Sequence, residues 1–180
     1  MKNKYRALMV SSSMVQDQEF IYPYYRLLED NFDVDVFILE NQHVNGYFGT
    51  NIPPIKTHKL INFDDIKPEN YDLLVLPGGV KSMEKLRLYK PAINLISIFN
   101  DKNITIACIC SAVQLLISAK VVKGRKISGY YTFEDDVNNA GGIYTDSPAV
   151  IDDNIITTAH YKDLGPWMKA TLNRVYAGKN

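Results

Sequence analysis

The sequence predicts an α/β protein with a mostly parallel central sheet. Short, continuously apolar runs such as Asp72–Leu76 (DLLVL) alternate with segments whose apolar residues recur at helical spacing, and this alternation is typical of strand–helix–strand units. Several of the runs end in glycine-rich or polar turns, which is where parallel sheets bind their ligands. The chain has 180 residues and no repeat or linker, so we expect one domain spanning residues 1–180.

The first half of the chain is predicted to form three strands and three helices. Between Glu40 and Lys59 the glycines and prolines break any regular pattern, so we expect an irregular segment there. Pro23 falls early in the first helix, where a helix tolerates proline. The predicted strands are Arg6–Val10, Phe32–Leu39 and Asp72–Leu76, and the predicted helices are Glu19–Leu28, Lys81–Tyr89 and Pro91–Asn100.

The most informative segment is Ile104–Ala119 (ITIACICSAVQLLISA). It predicts a short buried strand, a sharp turn at Cys110 and an apolar helix, the arrangement of a nucleophile elbow. The positive end of the following helix would favour the thiolate of Cys110 over the thiol. The alternative is a structural cysteine, because free cysteine is among the most buried residue types. Cys108, inside the strand, is assigned to the core for that reason.

The second half of the chain is predicted to add short strands and two helices. Asp152-Asp153-Asn154 lies between two apolar runs and predicts a hairpin turn. The predicted strands are Lys126–Tyr131, Ile143–Thr145, Ala149–Ile151 and Ile155–Thr158, and the predicted helices are Phe133–Ala140 and Asp163–Tyr176.

Composition excludes several classes of function. The formal net charge is zero, which argues against a nucleic-acid-binding protein, since such proteins carry a basic face. Two cysteines in one C-x-C pair predict neither a disulfide framework nor a metal site, and a reducing, cytoplasmic setting is expected. No apolar stretch is long enough for a membrane helix or a signal peptide. We therefore expect no metal, no cofactor and no membrane partner.

Longer ordered segments resemble a known family. They are QDQEFIYPYYRL (16–27), YDLLVLPGG (71–79), IACICSAVQLLISAKVVKGRK (106–126), DDVNNAGGIYTD (135–146) and IDDNIITT (151–158). In this order the chain resembles the ThiJ/PfpI superfamily, and within it the PfpI-type branch, over nearly its whole length. The resemblance implies a flavodoxin-like three-layer α/β sandwich, related to that of class I glutamine amidotransferases, with a cysteine nucleophile elbow.

The resemblance also implies the roles of four residues. Cys110 would be the nucleophile, Glu19 would reach its thiol, and the backbone N–H groups of Gly79 and Ser111 would form an oxyanion hole. A carboxyl next to a thiolate is a like-charge pair, so Glu19 is predicted to be the protonated member and to donate to sulfur. The alternative for Glu19 is a first-turn acid that stabilises its own helix.

The sequence departs from the family directly after the cysteine. Where the PfpI-type branch carries histidine directly after the cysteine, this chain has Ser111, which cannot act as a base near neutral pH. Peptidase activity is therefore less expected than other chemistry. His160, near the last strand, could supply the missing imidazole, or it could be an exposed loop residue or a helix cap.

Two further residues are assigned to the substrate pocket. Gly78 ends the Asp72–Leu76 strand in a tight turn that lets the backbone approach a ligand, with an ordinary turn as the alternative. Tyr130 lies where the family places aromatic or histidine residues, with core packing as the alternative. A glutamine amidotransferase is rejected, because its triad needs a late His-x-Glu and this chain has His160-Tyr161-Lys162.

Two functions follow from the resemblance. The first is a cysteine-dependent enzyme on small electrophiles, either glyoxalase- or deglycase-like on α-oxoaldehydes or isonitrile hydratase-like, with Cys110 attacking and Glu19 transferring the proton. The second is a redox or stress-response protein that senses oxidants through Cys110. The family commonly forms dimers or hexamers, so we expect a homodimer or homohexamer. The only other partner that we expect is a small-molecule substrate.

Overall fold

The computed structural model describes residues 5–178 and contains a six-stranded central sheet. The sheet has the order β2-β1-β5-β6-β10-β9, and all neighbouring strands are parallel except β9 and β10. Two small ladders, β3–β4 and β7–β8, lie outside it. The strands are β1 Tyr5–Ser11, β2 Phe32–Ile38, β3 Val44–Asn45, β4 Asn51–Ile52, β5 Leu73–Leu76, β6 Thr105–Ile109, β7 Lys126–Ile127, β8 Ile143–Tyr144, β9 Val150–Asp152 and β10 Ile155–Thr158.

Helices cover both faces of this sheet, which confirms the predicted flavodoxin-like α/β sandwich. Successive residues of a strand point to opposite faces, so Ala7 and Met9 pack on the side of α1 and α6, while Leu8 and Val10 pack on the side of the other helices. The result is two apolar cores, one on each side of the sheet. The helices are α1 Asp17–Glu29, α2 Val80–Leu88, α3 Lys90–Asp101, α4 Val113–Ser118, α5 Glu134–Asn139 and α6 Leu164–Ala177.

The strand order places a ligand-binding crevice at the carboxyl ends of the parallel strands. From β1 the chain first adds β2 on one side and later β5 on the other, and parallel sheets bind ligands at the carboxyl end of such a switch. The segments that follow β1, β5, β6 and β10 all leave the sheet at this carboxyl end. They carry Glu19, Gly79, Cys110 and His160.

The structure differs from the sequence-based prediction at two segments. The predicted strand Lys126–Tyr131 is a strand only over Lys126–Ile127. Beyond it the Ser128 N–H donates to the hydroxyl of Thr157 (2.8 Å), and the chain turns toward the elbow, where the N–H of Tyr130 donates to the Cys110 carbonyl. The segment from Glu40 to Lys59, predicted to be irregular, contains the β3–β4 hairpin. In the described part of the chain no helix is both long and apolar enough to cross a membrane.

Candidate active site

Cys110 sits at a strained turn between β6 and α4. Its φ angle is 60°, a left-handed conformation that a non-glycine residue adopts only where the surrounding structure enforces it. A 3₁₀ turn over Cys110–Ala112 leads into α4, and the N–H of Tyr130 donates to the Cys110 carbonyl (3.1 Å). The predicted nucleophile elbow is therefore present, and its side chain is partly accessible while Cys108 is buried.

Glu19 lies in the first turn of α1, and its side chain is completely buried (0% exposed). The side chain of Gln16 caps this helix by accepting from the Glu19 N–H (3.0 Å), which fixes the direction of the turn. One carboxyl oxygen accepts from the N–H of Gly78 (2.9 Å). The other is enclosed and has no hydrogen-bond partner among residues 5–178. The Cys110 thiol neighbours the same carboxyl and favours its charged form.

Burial decides the charge state of this pair. It raises the pKa of Glu19 to about 7, against which the hydrogen bonds from Cys110 and Gly78 act only partly. Glu19 is thus protonated in a large fraction of molecules near neutral pH, and the cause is its burial. Burial and the negative charge of ionised Glu19 also raise the pKa of Cys110. Both effects act against the thiolate that the positive end of the following helix is expected to favour.

The backbone N–H groups of Gly79 and Ser111 both donate toward the Cys110 sulfur and lower its pKa in part. Gly79 has a φ angle of 104°, and a Cβ there would lie 2.5 Å from the Gln16 nitrogen, so glycine is required for this N–H to face the thiol. The predicted oxyanion-hole residues therefore lie on either side of the sulfur atom.

Gly78 lies beneath the pocket and not in its lining. A Cβ on Gly78 would come 2.4 Å from the Glu19 carboxyl and 2.8 Å from the Cβ of Cys110. Glycine at this position therefore allows the carboxyl and the elbow to approach each other, and its N–H orients the acid.

A cleft of about 540 Å³ opens above Cys110 and Glu19. Tyr130 and His160 line it, and their rings stack with centroids 6.2 Å apart. His160 also caps a 3₁₀ turn, since its Nδ1 accepts from the Lys162 N–H (3.2 Å), so both alternatives considered for it have a structural basis. The remaining lining residues are Met14, Gln16, Tyr47, Gly79, Val80, Lys81, Ser111 and Tyr161.

Tyr47, whose side chain forms one wall of the cleft, was not identified from the sequence. This residue belongs to the Gly46–Gly49 turn (GYFG) of the β3–β4 hairpin, which Asp17 holds through its buried carboxylate. Two adjacent aromatic residues between glycines in a loop were the available signal, since such side chains find no core there. Within residues 5–178, no three His, Cys, Asp or Glu side chains lie together in an arrangement that could hold a metal ion.

Known proteins resemble this chain in sequence and in fold. Deglycase PfpI of Pyrococcus furiosus is 35% identical over 164 residues, which cover 91% of this chain and 95% of that protein. A two-domain protein of Anabaena variabilis with DJ-1/ThiJ/PfpI-like and ferritin-like domains superposes with a TM-score of 0.88 at 26% identity, covering 96% of this chain but only 48% of that one.

A ThiJ/PfpI domain protein of Brachyspira murdochii superposes with a TM-score of 0.85 at 18% identity, covering 96% of both chains. The sequence profile described as the DJ-1/PfpI family matches residues 5–174. The chain therefore belongs to the DJ-1/PfpI family, in its PfpI-type branch.

Proposed function

We propose that the protein is a cysteine-dependent enzyme that converts α-oxoaldehydes, free or as adducts of amines, into 2-hydroxy acids. The observation that carries this proposal is the pairing of an elbow cysteine with a fully buried carboxyl whose pKa is about 7. Such a pair combines a nucleophile with a proton donor at one cleft. The likeness to a protein named Deglycase PfpI supports the same class of reaction.

The first step forms a bond between the Cys110 sulfur and the aldehyde carbon. As this bond forms, the thiol proton passes to the ionised form of Glu19 and the carbonyl electron pair moves to oxygen. Glu19 then delivers that proton to the oxygen, and a hemithioacetal results. The N–H groups of Gly79 and Ser111 flank the sulfur, so they are placed to donate to the oxygen while it carries negative charge. An amine adduct enters the same sequence after its C–N bond breaks and the amine leaves with a proton.

The second half of the reaction is an internal redox step that needs no external oxidant. The proton on the former aldehyde carbon moves to the neighbouring carbonyl carbon, and the proton of the hemithioacetal hydroxyl moves to the oxygen of that carbonyl. Together these transfers turn the hemithioacetal into a thioester of the 2-hydroxy acid. Water then attacks the thioester, the C–S bond breaks and the thiol recovers its proton. Glu19 is suited to carry these protons because its raised pKa keeps both of its protonation states populated.

Turnover of a substrate panel tests this function. The panel holds methylglyoxal, glyoxal, an aryl isonitrile and a fluorogenic peptide, and wild type is compared with Cys110→Ala and with Cys108→Ala as the control. We expect both α-oxoaldehydes, methylglyoxal and glyoxal, to be consumed, with a loss of about 10³-fold or more in Cys110→Ala and little change in Cys108→Ala. Unchanged turnover in Cys110→Ala, or turnover of the isonitrile or the peptide alone, would contradict the proposal.

A second function, oxidant sensing, is favoured by the same groups around sulfur. The flanking N–H groups and a protonated Glu19 are donors that would stabilise a sulfinate on Cys110. Mild peroxide followed by mass spectrometry tests it. A two-oxygen adduct confined to Cys110 in a protein that turns over no panel substrate would support the sensor, whereas oxidation spread over Cys and Met residues would count against it.

A further inference from the structure

The turn between β3 and β4 is fastened to the segment that leads into the active-site helix. The N–H of Met14 donates to the Asn45 carbonyl (2.9 Å), and the N–H of Tyr47 donates to the Val15 carbonyl (2.8 Å). Met14 and Tyr47 themselves line the cleft. The turn is therefore a built wall of the site, held by backbone hydrogen bonds to the residues that precede Glu19.

A buried carboxylate reinforces this attachment. Asp17 is only 3% exposed, and its two oxygens accept from the N–H groups of Phe48 (2.7 Å) and Thr50 (3.0 Å). Gly46 packs directly on it, since a Cβ there would lie 2.5 Å from the carboxyl carbon. These hydrogen bonds keep the pKa of Asp17 below its usual value although burial opposes them. Asp17 thus holds the turn as a charged acceptor two residues before Glu19.

The two aromatic side chains of the turn are placed differently. Tyr47 is 63% exposed and lines the cleft, whereas Phe48 is 69% exposed and is not part of its lining. Their rings meet edge to face at 5.2 Å. Exposing two large aromatic rings costs the protein favourable burial, and only Tyr47 has a position from which it would contact a substrate.

The size of the cleft shows what Tyr47 would contact. About 540 Å³ is within the range of pockets that hold drug-sized ligands, and a two- or three-carbon aldehyde fills a small part of it. Tyr47, Tyr130 and Tyr161 make much of the lining aromatic. A substituent beyond the reacting carbon would therefore lie against tyrosine rings, which favour planar, apolar groups.

We propose that Tyr47 is a specificity-determining residue of this cleft, which selects electrophiles bearing a planar apolar substituent, and that Asp17 is the residue that positions it. The inference rests on the proposed function in one respect, that Cys110 is the attacking atom. Neither residue takes part in the chemical steps.

Paired alkylating probes test the role of Tyr47 without requiring turnover. N-methylmaleimide and N-phenylmaleimide carry the same reactive group, and their rates of addition to Cys110 are read by mass spectrometry. The phenyl-to-methyl rate ratio is expected to fall about fivefold in Tyr47→Ala and to stay unchanged in Tyr47→Phe and in the matched control Phe48→Ala. An unchanged ratio in Tyr47→Ala, or an equal fall in Phe48→Ala, would overturn the assignment.

A double-mutant cycle tests the role of Asp17. If Asp17 acts through Tyr47, Asp17→Asn lowers the same rate ratio, and the double variant Asp17→Asn/Tyr47→Ala has the ratio of Tyr47→Ala alone. A purely structural role for Asp17 predicts slower addition of both probes at an unchanged ratio, and that result would overturn the positioning role. If the maleimide ratio responds as expected while no panel substrate is turned over, the proposed reaction fails and the specificity assignment stands.

Discussion

At the level of single residues, the buried carboxyl of Glu19 is the feature that physical reasoning explains best. A completely buried acid with one N–H donor is destabilised in its charged form, because one hydrogen bond does not replace its lost hydration. The same desolvation that raises its pKa lets this carboxyl take up and release a proton near neutral pH. The cost of keeping this acid in the interior must therefore appear in the stability of the folded protein.

Replacing Glu19 with Gln should change how stability depends on pH. The folded pKa of about 7 lies above the usual 4.5, so the stabilising effect of the protonated form is complete below about pH 4.5 and is lost as the pH rises through about 7. Glu19→Gln has no such loss. Relative to wild type, its free energy of unfolding should rise by about 2 kcal/mol between pH 5 and pH 8, as measured by urea denaturation. Parallel pH profiles for the two proteins would show that burial does not shift this acid.

His160 offers a second test at this scale, because its capping and chemical roles can be separated. Asparagine can still accept from the Lys162 N–H that His160 now caps, but it cannot transfer a proton near neutral pH. If His160 carries a proton in the reaction, His160→Asn should lower kcat about 10²-fold with little change in melting temperature. A kcat equal to that of wild type would mean that His160 acts only as the cap of its 3₁₀ turn and transfers no proton.

At the level of secondary-structure elements, the turn after β7 shows how tightly the elbow is supported. Gly129 packs on the first residue of α4, and a Cβ there would lie 2.6 Å from a methyl group of Val113. The next residue, Tyr130, donates its N–H to the carbonyl of Cys110. A displacement of this turn would therefore reach the nucleophile directly.

Gly129→Ala is expected to destabilise the protein by about 1–3 kcal/mol through overpacking and to slow alkylation of Cys110. Gly165→Ala is the matched control, because a Cβ at Gly165 in α6 meets no atom within 4 Å, and it should stabilise by about 0.5–1 kcal/mol. Thermal denaturation measures the stability of both variants. A Gly129→Ala protein as stable as wild type would mean that the turn shifts to accommodate the added methyl group at no cost in stability.

The elements also show how far the sequence could be interpreted alone. Short apolar runs, helical spacing and turn residues identified every strand of the central sheet and every helix to within a few residues, and the pattern is strongest in the inner parallel strands, which are buried on both faces. The segment after β7 was predicted to be too long a strand, because its residues suit a strand and its actual contacts are distant in sequence, such as that of the Ser128 N–H with the Thr157 hydroxyl 29 residues away. The strand–turn–helix pattern singled out Cys110, but its pairing with Glu19 came from family resemblance, since no local pattern reveals that a first-turn acid faces a distant thiol.

For the whole molecule, the parallel sheet is what assembles the site. Glu19, Gly79, Cys110 and His160 are spread over 142 positions of the chain, yet they follow four strands that are adjacent in the sheet order β1-β5-β6-β10. The wall formed by Tyr47 depends on a hairpin that docks on the segment before α1. Such docking is a tertiary contact without a sequence period, so it could not be predicted from the chain alone.

The central claim is that Cys110 and Glu19 titrate as one coupled pair, and the pH dependence of Cys110 alkylation by iodoacetamide tests it most directly. In wild type the rate constant should rise near pH 7, where the pair loses its first proton, and again at higher pH. Gln does not titrate, so in Glu19→Gln the rise near pH 7 should disappear and a single rise remain. Superimposable profiles for the two proteins would contradict the account.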